Sequence, residues 1–232
     1  MGNSMDRLPN NTDKVLAILF VSIIYYLITI NLAHGTPYST EIMDKAKTYL
    51  HVREATNNND SPDIDQFLAY LGLPKGLAYC ISFDIFCYGK VYEKHGRKCP
   101  VPKIGRCSTW LKSVKKDKYA YTVIDPKKVE YGAVKLKPAM FSIWSHNKKL
   151  YKAGTVDLYD WAGHAELVDL QVTNVKYDTV GANTTGVDDI KLQREQTGGI
   201  KKGGPVGGVW KKHRNVSKLS SFATEAFVEV NF

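Results

Sequence analysis

The sequence predicts an α+β domain in which N-terminal helices pack on a mainly antiparallel sheet, preceded by an apolar leader. Three observations carry that prediction. Apolar residues recur at helical spacing between residue 41 and about residue 117. Short runs rich in Val, Ile, Tyr and Phe, separated by Gly, Pro and Asn, take over from Tyr119. One uninterrupted apolar run, Val15 to Ala33, stands before both. Helices followed by strands describe an α+β layout.

The leader reads VLAILFVSIIYYLITINLA and is long enough to cross a bilayer as a helix of roughly 20 residues. It is followed by Ala33-His34-Gly35, a small-x-small pattern like a signal-peptidase site. A buried core helix would be capped and amphipathic, and this run is neither. It is therefore read as an export signal over residues 1–35, either cleaved after Gly35 or kept as an anchor. Residues 36–232 are one domain's worth of chain.

The formal charge is +9 at pH 7, with lysines clustered at 112–118, 127–137, 148–152, 201–202 and 211–214. Such a field favours polyanions. For an exported protein these are anionic envelope polymer or membrane lipid, or the charge is a solvated surface with no dedicated partner. No basic-aromatic motif of a nucleic-acid module is present, so a specific nucleic-acid partner is not expected.

The first helix is expected over Glu41 to Arg53, where Ile42, Ala46, Tyr49 and Leu50 share a face and Ser39 or Thr40 would cap the start. After an Asn-rich loop, Ser61 is an N-cap with Pro62 at the first helical position. That helix buries Ile64, Phe67, Leu68 and Leu71 and stops at Gly72. A third helix is expected from about Tyr79 to His95 and a fourth from about Ser108 to Asp117. Candidate strands are Met140–Trp144, His164–Val172, Val175–Ala182, Gly208–His213 and Ala226–Phe232. Within the sheet region TTGVDDIKLQREQTGGIKKGGPVGG has no sustained periodicity, and loops of that length are usually functional or disordered.

Four cysteines in an exported chain invite a disulfide reading. Cys80 and Cys87 lie on one helix with Cα atoms about 10.5 Å apart, beyond the limit for a bridge. Cys99 and Cys107 flank a Pro- and Gly-containing loop that a bridge could close, and either could instead reach Cys87. No CxxC or paired His at ligand spacing points to zinc. Cys80 remains as a free thiol at a helix N-terminus, where unpaired N–H groups and the helix dipole favour a thiolate. A small buried hydrophobe is the alternative role for such a cysteine.

A thiolate nucleophile needs a base. Of six histidines, His164 in WAGHAELVDLQV opens the best strand of the chain, after a glycine that permits close backbone approach. The others fall in the leader, at helix ends or in basic segments. If Thr173-Asn174 is a two-residue hairpin loop, Val172 faces Val175, Glu166 faces Gly181 and His164 faces Asn183. The Asn183 amide would then take the imidazole Nδ1–H and hold Nε2 toward the thiol, giving a Cys–His–Asn arrangement. A slip of one residue would turn Asn183 to the other face.

These segments together resemble a known superfamily. KAKTYLHVREATNNNDSPDIDQFLAYLGLPKGLAYCISF is similar to the N-terminal half of the CHAP and NlpC/P60 cell-wall hydrolases, whose pattern runs helix, GVxE, Asn-rich loop, helix and GLPxGxPWCAAF. VKLKPAMFSIW resembles their VKPGDIVIW strand, GHAELV their GHxGIV, VGANTT their EGNT and GGVWKKHR their GGVYRKTR. The similarity covers about residues 42–214 in the family's order. It implies a papain-like cysteine hydrolase fold and cleavage of a peptidoglycan amide bond without metal or organic cofactor. Cys80 would be the nucleophile, His164 the base and Asn183 the orienter, with the Cys80 N–H in the oxyanion hole.

The departures are specific. The family's Glu-Gly-Asn is Gly181-Ala182-Asn183 here, and Glu166 stands where Gly is usual. Because residues 164 and 166 share a face, the carboxylate is expected to have moved across the ladder from position 181 to Glu166; an exposed glutamate is the plain alternative. Pro138-Ala139-Met140 replaces the PGD turn, and Tyr79 replaces Trp. A catalytically silent wall-binding module of the same fold is the second functional reading.

Overall fold

The structure is a computed structural model, and it describes residues 19, 20, 22, 38–146, 163–185, 207–216 and 222–231. The apolar leader, apart from Leu19, Phe20 and Ser22, and the glycine-rich segment after Thr185 lie outside the described residues. The chain divides into two units, Met1–His34 and Gly35–Phe232. Among the described residues no helix is long and apolar enough to cross a membrane.

Helix α1 spans Ser39–Lys47 and buries Ile42, Met43 and Ala46. It is shorter than the periodicity predicts and has no side-chain cap. The reason for its early end is non-local pairing. The Val52 carbonyl accepts from the Val209 N–H at 3.1 Å and the Glu54 N–H donates to the Gly207 carbonyl at 2.9 Å, which pulls the chain out of the helix by way of turns at residues 48–51. Helix α2, Pro62–Tyr70, starts as expected: Ser61 Oγ accepts from the Ile64 N–H at 3.3 Å, with Pro62 at N1. It ends on Gly72 at φ +72°, with Leu73 N–H to the Leu68 carbonyl and Gly72 N–H to the Ala69 carbonyl. This paired closure is a Schellman motif, and it swings Leu73 back toward the domain.

Helix α3, Cys80–Lys94, is buried along most of its length, from Cys80 through Gly89 without a break. It packs against α1 and α2 on one side and against the sheet on the other. Phe67, Phe83, Phe86 and Tyr49 meet with centroids 5.1 to 6.1 Å apart, so α2 and α3 are joined largely by aromatic contact. Helix α4 follows at Cys107–Val114. Strand β1, Tyr121–Ile124, and the single-turn α5, Pro126–Glu130, are too short for a periodicity to register. Asp125 caps α5 by accepting from the Lys127 N–H at 2.9 Å.

The remaining strands are β2 (Phe141–His146), β3 (Gly163–Gln171), β4 (Lys176–Thr185), β5 (Gly207–Asn215) and β6 (Phe222–Val230). They form a six-stranded sheet in the order β1-β6-β2-β3-β4-β5, and every neighbouring pair is antiparallel. Alternation along each strand supplies two apolar faces. Phe141, Ile143, Ala165, Leu167, Val180 and Val228 join the helices in the main core. Trp144, Val168, Tyr177 and Phe227 face the other way, over Val129, Leu136 and Met140. Helices followed by an antiparallel sheet make this an α+β domain.

The β3–β4 hairpin differs from the expected one at its tip, agrees with it as far as Glu166–Gly181, and stops short of the expected His164–Asn183 pair. Both Val172 and Thr173 N–H groups donate to the Lys176 carbonyl at 2.9 Å, so the loop is wider than Thr173-Asn174. A bulge between Val168 and Leu170 then takes up one residue, and beyond it Val168 faces Thr179 and Glu166 faces Gly181. The bulge restores the register that the wider loop displaced.

A candidate active site at the start of helix α3

Three elements meet at Cys80. It is the first residue of α3, where the first-turn N–H groups have no intrahelical acceptor. Cys107, the first residue of α4, places its Sγ 3.7 Å from the Cys80 Sγ. Gly163 at the mouth of β3 makes that approach possible, since a Cβ there would lie 3.0 Å from the Trp144 carbonyl oxygen and 3.1 Å from the Cys107 Cβ. His164 follows, its ring stacked on Trp144 at 5.4 Å and 15°.

His164 and Cys80 interact electrostatically, each shifting the other's pKa. The imidazole Nε2 is 3.0 Å from Glu166 Oε1. The orienting contact thus falls on Nε2 rather than on the Nδ1 expected from sequence. Glu166 is fully buried and is held by the Arg214 guanidinium, with Nε to Oε2 at 2.9 Å and Nη2 to Oε1. The Thr179 hydroxyl donates to the same carboxylate. The guanidinium also lies 5.0 Å from the Trp144 ring centroid. A hydrogen-bonded line therefore runs from His164 through Glu166 to Arg214, with the Cys80 thiol beside its imidazole end.

The charges in this line are mutually stabilised. The Cys107 thiol donating to the Cys80 sulfur is the largest influence on the Cys80 pKa. With the His164 hydrogen bond and charge and the Ala165 N–H, it outweighs burial and holds that pKa well below the usual thiol range. Burial alone would lower the imidazole pKa, but hydrogen bonds to Cys80 and Glu166 and their negative charge raise it to about 9. Burial likewise opposes the Glu166 carboxylate, and Arg214 and His164 outweigh it and hold the carboxyl well below its ordinary value. These shifts favour a thiolate beside a protonated imidazole, backed by a carboxylate.

Asn183 is not part of this line. The β3–β4 pairing ends at Glu166–Gly181, and a shift in the β4–β5 register between Gly181 and Thr184 turns Asn183 into the left-handed region at φ +54°. No hydrogen bond joins its side chain to His164. Its backbone N–H instead lies near the Tyr79 hydroxyl, lowering that group's pKa against a larger rise from burial, and the hydroxyl donates to Glu54 Oε1 at 3.0 Å. The place an orienting residue would take is filled from β3: a Cβ on Gly181 would lie 2.4 Å from Glu166 Cγ and 2.5 Å from its Cδ. The carboxylate of Glu166 occupies the space a side chain at position 181 would need.

A cavity of about 470 Å³ opens beside the thiol, with Cys80 and Cys107 among its lining residues and walls formed by Leu73, Leu77, Ile104 and Thr109. Leu77 is 44 % exposed, unusual for a large aliphatic residue, and it stands in this lining. Asp84, one turn along α3 from Cys80, is fully buried with neither carboxylate oxygen hydrogen-bonded. Burial, and then the charges of Cys80 and Glu166, push its pKa well above the usual value, which favours the neutral acid. All four cysteines are free, and Cys107 lies against Cys80 rather than bridging to Cys99 or Cys87. Among the described residues no group of three or more His, Cys, Asp or Glu side chains is placed to hold a metal ion.

Arg214, Cys107 and Asp84 were not singled out by sequence as parts of the site. A signal for Arg214 is its phase, since Trp210, Lys212 and Arg214 alternate into the interior of β5. No family model, no curated protein and no solved structure matches this chain.

Proposed function

We propose that this protein is a papain-like cysteine hydrolase that cleaves an amide bond of peptidoglycan, with Cys80 as nucleophile, His164 as acid and base and Glu166 as the group that orients the imidazole. The observation that carries the reading is the His164–Glu166 hydrogen bond beside the Cys80 thiol at the edge of an open cavity. The thiolate attacks the amide carbonyl, and the oxyanion is met by N–H groups at the start of α3. The His164 imidazolium gives its proton to the departing amine, leaving an acyl-enzyme. His164 then takes a proton from water, which attacks the thioester and regenerates the thiol. Glu166 keeps one ring nitrogen engaged so that the other faces the sulfur through both steps.

Peptidoglycan is favoured as substrate by the ordered similarity of five segments to wall hydrolases and by the +9 charge, which suits an anionic envelope. The apolar leader would deliver the domain there. The test is purified protein on isolated peptidoglycan, with mass analysis of released fragments beside Cys80→Ser and His164→Ala. New amine termini are expected from the native protein and from neither variant. Wall binding without any released fragment would replace hydrolysis with a binding role.

A further inference from the structure

Cys107 has no part in the hydrolytic steps, yet it is the closest thiol to the nucleophile. The two sulfurs are 3.7 Å apart and buried, each on the first residue of its own helix. They belong to separate elements 27 residues apart in sequence. Unlike Cys80 and Cys87, they are therefore not kept apart by a shared helix. A disulfide requires them to close to about 2.05 Å. Both line the same cavity, so a small molecule that reaches one reaches the other.

We infer that Cys80 and Cys107 are a peroxide-sensitive pair, in which a small hydroperoxide oxidises Cys80 and Cys107 captures the product as a reversible disulfide. The inference shares Cys80 with the proposed hydrolase but requires only thiol chemistry. In the first step the Cys80 sulfur attacks the terminal peroxide oxygen. An S–O bond forms, the O–O bond accepts two electrons and breaks, and the departing hydroxide or alkoxide takes the His164 proton, leaving a sulfenic acid and water or an alcohol. In the second step the Cys107 sulfur attacks the Cys80 sulfur. The S–S bond forms, the S–O bond breaks, and the sulfenic oxygen leaves as water with the Cys107 proton.

The first step prepares the second. The Cys107 thiol is held protonated chiefly by its hydrogen bond to Cys80, with burial and the Cys80 charge adding to it. Oxidation of Cys80 removes that charge, so the Cys107 proton can leave with the sulfenic oxygen. Cys87 and Cys99 have no such setting, since burial raises both thiols. The disulfide removes the nucleophile while protecting it from irreversible oxidation to sulfinic or sulfonic acid.

The test is full-length protein treated with hydrogen peroxide and mapped by mass spectrometry without reduction. The expected product is one Cys80–Cys107 cross-linked peptide, with Cys87 and Cys99 still free and both lost thiols recovered by dithiothreitol. In Cys107→Ser, and in Cys107→Ala should the serine variant not fold, Cys80 is expected to proceed to sulfinic and sulfonic acid that dithiothreitol does not restore. Cys80 over-oxidising equally fast in native and variant proteins overturns the inference, as does a cross-link from Cys80 to Cys99 or Cys87. The cross-link is read without a substrate, so its absence does not touch the hydrolase reading. A failure to hydrolyse peptidoglycan likewise leaves the cross-link untouched.

Discussion

Replacing Gly181 by Ala adds one methyl group, and the structure makes its consequence large. The new Cβ would lie 2.4 Å from Glu166 Cγ, 2.5 Å from Cδ and 2.5 Å from Oε1. Ordinary contact needs about 3.4 Å or more, so the glutamate must retreat by about 1 Å. It cannot rotate into solvent, because it is fully buried and held by Arg214 and Thr179. A retreat of that size stretches the 3.0 Å bond to His164 Nε2 beyond the range of a hydrogen bond. Overpacking of this kind costs about 1–3 kcal/mol of stability. The lost charge-assisted bond, worth roughly 1.5–3 kcal/mol, lowers kcat/KM by about 10- to 100-fold. It also removes part of what lifts the His164 pKa to about 9, so that pKa falls toward 6.5. The assay is the pH dependence of Cys80 alkylation by iodoacetamide, read with thermal unfolding. An alkylation profile identical to that of the native protein would refute the reasoning. Moving the carboxylate back, in Glu166→Gly with Gly181→Glu, is expected to recover alkylation lost in either single variant.

Further outcomes are expected from the same geometry. The proposed hydrolysis requires protonated His164, so its kcat/KM should fall as pH rises through about 9; a plateau extending a full unit further would contradict the assignment. His164 contributes stability that is present below 6.5 and lost as pH rises through about 9, and Asp84, whose pKa is also raised, contributes stability below 3.8 that is lost as pH climbs. Asp84→Asn should therefore flatten the alkaline decline in chemical-denaturation free energy, and an unchanged slope would exclude Asp84 as its source. Ser61→Ala removes the cap of α2 and should cost about 1 kcal/mol in urea unfolding, with no loss indicating that the cap is redundant. Binding to isolated wall should weaken as salt rises toward physiological strength and beyond, because the +9 charge acts over a Debye length of about 10 Å at 0.1 M; salt-insensitive retention would point to a different determinant.

The parts of the structure that are legible in sequence are those decided locally. Ser61-Pro62 and the apolar spacing place α2, and the long aromatic run places α3, because capping and periodicity act within a few residues. The end of α1 is not legible: it is set by β5, more than 150 positions away, pairing with Val52 and Glu54. His164 and Glu166 are readable from alternation on β3, whereas Arg214 sits among lysines that look like solvated charge. Its burial depends on β5 lying beside β4 at the sheet edge. Asn183 illustrates the limit of register reasoning. The pairing holds as far as Gly181, and then a bulge against β5 redirects the next residues. Cys107 is invisible as a partner of Cys80 because the contact depends on a glycine in a third element.

The position of β6 between β1 and β2 bears on assembly. Among the described residues the earliest strand, Tyr121–Ile124, has Phe222–Val230 as its sole neighbour in the sheet. Roughly a hundred intervening residues must therefore be made before it can be zipped in, a separation that slows folding. A chain emerging from a ribosome or a translocase would keep that flank open until the end, with its helical half already able to form. A break in the segment before β6 would loosen β6 and β1, the two strands at one end of the sheet, while leaving the Cys80 helix intact.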